Sequence, residues 1–364
     1  MLPFYFLYIY VYRSIFIYPP ASAHMLAERR KVQQVGKATI SVSLPKAWVN
    51  RRGIKKGDYV LVSEQLDGSL RLDLDSPPRA APAMVLEASR FPSAYALTQA
   101  LLSWYMLGYD EVTVSGALTD ELLSAIHSLA KRLRGVEAVH VTPAKVVLQS
   151  FLEESRYPVD ALLSRLLSLI SSMIQYLLNA VKEAKPEYLN EVSRLRGDAE
   201  ELYWLIVRQL LLALRRPELA AKLRIDSPLH ATGNRLIARS LLRAALLLDA
   251  CAELIFQPIA ARRWGAGQIE GLAQLLALAG ELLRLATSFL DRADLPSFLA
   301  YYSKLEQMAQ LAERLTQELG GLDLKGARSY LLAVERLSAL ARLAEDVAEV
   351  AIHRLIRRMG GSSA

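Results

Sequence analysis

Arg30 to Val60 reads RKVQQVGKATISVSLPKAWVNRRGIKKGDYV, and its punctuation decides how the N-terminal part folds. Val32, Val35, Ile40 and Val42 are β-formers arranged around Gly36, which predicts two short strands and a turn. Leu44-Pro45-Lys46 breaks that run, and Ala47–Arg52 makes about one helical turn closed by Gly53. Ile54-Lys55-Lys56-Gly57-Asp58 is a turn by composition. Tyr59–Glu64 and Ser69–Leu74 each alternate apolar and polar residues, and Asp67-Gly68 between them tolerates the positive φ of a tight hairpin. A fragment of roughly 45 residues with so little apolar content cannot enclose a core of its own. The pattern therefore predicts an intertwined dimer whose two copies share one.

The same stretch holds the charge. Residues 25–60 contain nine Lys/Arg and two acids, Glu28 and Asp58, a surplus equal to the +7 of the entire 364-residue chain. Everything outside this segment, Arg13 included, sums to zero. A concentrated basic segment fits a polyanion partner, above all nucleic acid; a solvated basic face is the other reading that charge alone allows.

Working outward, residues 1–24 (MLPFYFLYIYVYRSIFIYPPASAH) are apolar and aromatic with Arg13 in the middle. A signal peptide places its charge before its apolar run, and a spanning helix needs roughly 20 uninterrupted apolar residues. We read the segment as lying upstream of the true start at Met25, with a hydrophobic leader or membrane anchor as the alternative. Asp75-Ser76-Pro77-Pro78-Arg79 is a linker. Beyond it, Ala83–Ala88, Glu111–Val114, Val136–Thr142 and Lys145–Gln149 read as strands, and Ser93–Leu107 and Thr119–Leu133 as helices, together a small α/β unit. From Pro158 the pattern is helical: near 158–184, 187–215, 228–262, 266–292, 294–319 and 326–358, with breaks at Pro186, Pro217, Pro228, Gly265, Pro296 and Gly320-Gly321. Six leucine-rich helices suggest two three-helix halves.

Little in the chain suggests catalysis. No nucleophile–base pair, phosphate loop or redox motif stands out, so we expect no enzyme activity and no cofactor. A single cysteine, Cys251, excludes an internal disulfide and a multi-thiolate zinc site, and its apolar helix marks it as a buried thiol. Five scattered histidines lack metal-ligand spacing; His127, His140, His230 and His353 have no partner recognisable in the sequence. Tyr203 and Trp204, being adjacent on one helix, must face different surroundings, a bundle core and a partner groove.

Gly-x-x-Thr-Ile at Gly36–Ile40, Leu-Pro-Lys-x-Trp at Leu44–Trp48 and Gly-Ile-Lys-Lys-Gly-Asp at Gly53–Asp58, in one register, resemble the SpoVT/AbrB family of dimeric swapped-hairpin DNA-binding domains. Leu202–Leu210, Ser329–Glu335 and Ala344–Glu349 resemble helices of the PhoU domain, and the combination is similar to archaeal phosphate-uptake regulators that join the two. The resemblance implies a multidomain α+β protein. It would have a swapped-hairpin β module over 25–76, a small α/β connecting domain over 80–152 and an all-α PhoU-like pair of three-helix bundles over 156–360. It also implies DNA contact by Arg29, Arg30, Lys31 and Lys37 beside the first strand pair, with Lys46, Arg51 and Arg52 positioning phosphates. Trp48 would anchor the shared dimer core. Homodimerisation through the hairpins, a cytoplasmic location without membrane insertion, and a phosphate transporter or signalling protein as a further partner complete the expectation. The departures concern metal. PhoU domains carry paired carboxylates, whereas the corresponding positions here hold Arg196 with Glu200, Leu242-Arg243-Ala244-Ala245-Leu246, and Arg342. Arginine stays protonated and cannot ligate a cation, so we expect no metal site; Asp198, Glu200 and Glu201 as a shifted site is the alternative. The competing functional reading is an adaptor that regulates a phosphate transporter or its kinase by protein contacts, with the basic module serving to dimerise.

Overall fold

The computed structural model describes residues 28–37, 39–64, 68–74, 84–290 and 294–361, and the readings of residues 1–24, Asp67 and the 75–79 linker lie outside these. The described chain is mixed α+β, with eight strands and ten helices.

The N-terminal part is two antiparallel hairpins joined by a helix. β1 (Gln33–Val35) pairs with β2 (Thr39–Ser41), and β3 (Val60–Glu64) pairs with β4 (Leu70–Leu74). Between them α1 (Lys46–Arg52) runs for about two turns rather than the one expected. It starts on Pro45, whose fixed φ suits a helix entry, and ends at Gly53 with φ +67°, a conformation that glycine adopts without strain.

Four strands then form one sheet in the order β5-β6-β8-β7: β5 (Met84–Glu87), β6 (Glu111–Ser115), β7 (Val136–Thr142) and β8 (Lys145–Ser150). β5 and β6 are parallel, the other pairs antiparallel, and a bulge interrupts β7 between Ala138 and His140. α2 (Ala94–Met106) and α3 (Asp120–Arg132) start where Ser93 and Thr119 accept hydrogen bonds from the backbone N–H groups of Ala96 and Leu122. Alternation on the strands sends Val112, Val114, Val146 and Leu148 to the buried face, where they join Leu97, Leu101 and Trp104 of α2.

The remainder is helical. α4 (Val159–Glu183), α5 (Tyr188–Ala213) and α7 (Pro228–Ala260) pack on one another; so do α8 (Ala266–Ser288), α9 (Leu295–Gln317) and α10 (Leu324–Gly361). The helices lie close to the spans expected, with one addition, the short α6 (Pro217–Lys222) opened by its proline. The two trios are not separate halves: α7 lies along α10 and α4 touches α8, so the six long helices share one core. Among the described residues one helix, α4, is long and apolar enough to cross a membrane. Its apolar stripe of Leu166, Ile170, Met173 and Leu177 is buried in the bundle.

α5 explains the Tyr203–Trp204 pair. From Leu202 to Leu210 every residue is buried, because α2 of the sheet unit covers the face that the bundle leaves open. Tyr203 lies under the Arg239 guanidinium of α7, and Trp204 lies 4.8 Å beneath that of Arg132 on α3. The groove expected to receive a partner is thus filled by the chain itself.

Candidate nucleic-acid interface

Lys37 sits in the turn between β1 and β2, which Gly36 enters at φ +70°, and its carbonyl accepts a 3.0 Å hydrogen bond from Gln34 Nε2. Arg29, Arg30 and Lys31 lead directly into β1. Lys46 opens α1, and Arg51 and Arg52 close it, where a cation also complements the helix dipole. All seven side chains are exposed.

The acids of the stretch are used up locally. Glu28 pairs with Arg30. Asp58 folds into its own turn: its Oδ2 accepts from the Lys55 N–H at 2.7 Å and its N–H donates to the Lys55 carbonyl at 3.2 Å, with Gly57 at φ +99° completing the reversal. Among the described residues Arg29, Lys31, Lys37, Lys46, Arg51 and Arg52 have no carboxylate partner. Six unneutralised cations on the first hairpin, the residues that lead into it and one short helix form a basic surface of the kind to which a polyanion is attracted.

The same elements leave their apolar side chains in water. Val32, Val35, Ile40, Val42, Tyr59, Leu61, Val62 and Leu70 are all more than half exposed, and no described residue from 28 to 74 is buried. Trp48 is half-buried. Eight large apolar side chains exposed on so short a stretch are more than isolated surface residues ordinarily amount to.

The acidic positions weighed as a cation site are occupied by arginine. Glu200 accepts from Arg132 at 2.7 Å and from Arg196 at 2.6 Å, Glu201 lies 3.6 Å from Arg132, and Asp198 lies 3.1 Å from Arg194. Arg196 also reaches Asp249 at 2.9 Å, so the residue standing at an expected acid position binds two carboxylates. Burial raises the Glu201 carboxyl above its ordinary range against the pull of Arg132. Among the described residues no group of His, Cys, Asp and Glu converges as a metal site. Two histidines without an expected partner do have one: His230 Nδ1 lies 3.3 Å from Asp226 and His353 Nε2 lies 3.9 Å from Glu349. Burial, reinforced by Arg354, lowers the His230 pKa, which keeps the ring neutral at pH 7.

One buried polar cluster escaped the sequence reading. Arg208, essentially inaccessible, spends all its donors between the sheet unit and the bundle. Nη1 donates to the carbonyls of Tyr105 at 2.9 Å and Tyr109 at 3.0 Å, Nη2 to Asp110 and Glu154 at 3.1 Å each, and Nε to Glu154 at 3.2 Å. Gln209 adds bonds to the carbonyls of Glu154 and Tyr157. The available signal was Arg208-Gln209 standing alone inside the apolar run Leu205 to Leu212.

Compared with protein-family models, with curated proteins and with solved structures, the chain has no match.

Proposed function

We propose that this chain is a homodimeric, DNA-binding transcription regulator of phosphate uptake, with its basic hairpins on DNA and its helical part, a PhoU-like unit, receiving the signal. The observation that carries the reading is the pairing of two features on the same 47-residue stretch, 28–74. Six cations have no carboxylate partner among the described residues, and eight large apolar side chains lie more than half exposed. The first feature suits phosphate contact and the second suits a second copy of the hairpins. The motif resemblance of Gly36–Asp58 supplies the class of partner, and that of the helical segments supplies phosphate as the theme. The reading places the protein in the cytoplasm, acting without catalysis or cofactor.

The test is fluorescence anisotropy of the full chain on DNA fragments from upstream of its own genome's genes, repeated across salt concentrations. The six cations per protomer that lack a carboxylate partner correspond, if each neutralises a phosphate, to a slope of about 11 in log K against log salt for a dimer, at ~0.9 per phosphate. Replacing Arg29, Arg30 and Lys37 together by glutamate abolishes binding and leaves the dimer intact. If no upstream fragment is preferred over random DNA at moderate salt, the proposal fails. If the triple variant regulates normally in the cell, the adaptor reading takes its place.

A further inference from the structure

α7 carries a line of side chains open to solvent along most of its length. Steps of seven residues return to one face of a helix that meets another at a shallow angle. At those steps Thr232, Arg239, Leu246, Glu253 and Ala260 are all exposed, while Ile237, Leu241, Ala244 and Leu248 between them turn into the core. The outward stripe of a bundle helix is ordinarily polar. This one has Leu246 at its centre, 37% exposed, and Leu236 and Phe256, 39% and 37% exposed, flank the line before and after it.

The line is also divided by charge. Arg235, Arg239 and Arg243 stand in its N-terminal half, Asp249 and Glu253 in its C-terminal half. Two of these charges are committed: Asp249 is bound by Arg196 at 2.9 Å and accepts from Ser193 at 2.6 Å, and Arg243 has a partner within its own chain. Arg239 stands 5.8 Å over the Tyr203 ring, which steadies the guanidinium without neutralising it. Neither Arg239 nor Glu253 has an ion pair among the described residues.

Arg239 and Glu253 lie seven residues either side of Leu246, and Thr232 and Ala260 fourteen. A second copy turned about a two-fold axis at Leu246 therefore sets each arginine against the other copy's glutamate, each threonine against an alanine and leucine against leucine. The two ion pairs so formed stand ~21 Å apart along the helices, at ~1.5 Å per residue, and a slip of one turn breaks both. A parallel arrangement in register would put arginine on arginine.

We propose that α7 is a face at which two copies of this chain pack antiparallel, centred on Leu246. Exposed ion pairs add little affinity by themselves, so the contact closes between copies already joined through their hairpins, where the second encounter is intramolecular. It rests on that homodimer and goes beyond it, because it holds the two helical parts in one relative orientation.

Cross-linking of the full chain with a short bismaleimide tests it, with sedimentation run alongside. Cys251 is buried, so the unmodified chain is the blank. Leu246→Cys, on the axis, gives covalent dimer in about tenfold higher yield than Gln274→Cys, an exposed position on α8. Adding Arg239→Glu to Leu246→Cys sets like charges opposite each other and lowers the yield about fivefold or more; adding Glu253→Arg as well restores it. That recovery separates a charge contact from a misfolded variant. A protein that sediments as a dimer but cross-links no better at 246 than at 274 overturns the contact and leaves the hairpin dimer standing. A yield indifferent to Arg239→Glu, or one that Glu253→Arg does not recover, overturns it too. A protein that sediments as a monomer overturns both the hairpin dimer and this contact.

Discussion

Arg208→Met removes the guanidinium that holds the sheet unit to α5 while keeping the length and apolar stem of the side chain. The consequences follow from what Arg208 touches. Glu154, 13% exposed, loses two donors and becomes a poorly solvated, unpaired carboxylate, whereas Asp110, 48% exposed, simply returns to water. The carbonyls of Tyr105 and Tyr109 lose a donor each, in a region that water enters with difficulty. Breaking one side of a buried ion pair costs about 3–5 kcal/mol, and each stranded carbonyl about 1–3 kcal/mol; the losses overlap, so about 4 kcal/mol is the expected total. Charged to the docking alone, that is roughly a thousandfold rise in the open population. Hydrogen exchange followed by mass spectrometry reads it segment by segment. Amides of α2 and β6 exchange about a thousand times faster in the variant, while those of α7 and α10 keep their wild-type protection. Arg208→Lys falls between, because an ammonium cannot reproduce the fork that spans Asp110, Glu154 and two carbonyls. A loss of protection below tenfold in α2 and β6, or an equal loss in α7 and α10, refutes the reasoning: the first shows that apolar packing alone docks the unit, the second that the two parts open together.

Two further outcomes concern the hairpins and the buried thiol. Placing a charge on the open apolar surface, as in Ile40→Asp combined with Leu61→Asp, shifts the protein to monomers in sedimentation experiments without lowering the melting of the helical part; an unchanged dimer would mean that the hairpins are not the contact. Burial pushes the Cys251 thiol up to about 12. The proton is therefore kept in the folded chain and lost from the unfolded one between pH 9 and 12, and stability falls as pH rises through that window. Relative to Cys251→Ala, the folding equilibrium weakens about tenfold per pH unit there, as followed by urea unfolding; parallel pH profiles would show that the thiol is accessible after all.

Much of the fold is legible in residue patterns because the signals are local. Leucines spaced three and four apart mark α4, α7 and α8; alternation marks β5 to β8; Ser93, Thr119, Pro228 and Gly265 sit at helix starts as their chemistry demands. The candidate interface is legible for the same reason, since nine basic residues within 25–60 and the turns at Gly36, Gly53 and Gly57 are all short-range features. The partnerships are not. Nothing adjacent to Arg208 in the chain announces Tyr105, Asp110 and Glu154, which lie 103, 98 and 54 residues away. Nor does the spacing of Arg196, Glu200 and Asp249 reveal that one arginine binds both carboxylates.

By itself, then, the sequence determined most of the elements, their approximate ends and the single basic segment, because backbone preference, capping and net charge act over a few residues. Only the tertiary structure decided that the two helical trios share a core, that α5 is buried all round from Leu202 to Leu210, that Glu200 and Glu201 answer to Arg132, and that four helix ends line a cleft with leucines and arginines. The physical reason is one of range. A buried charge is tolerable only where distant segments bring it donors and acceptors, and which segments those are is settled by how the helices and the sheet pack.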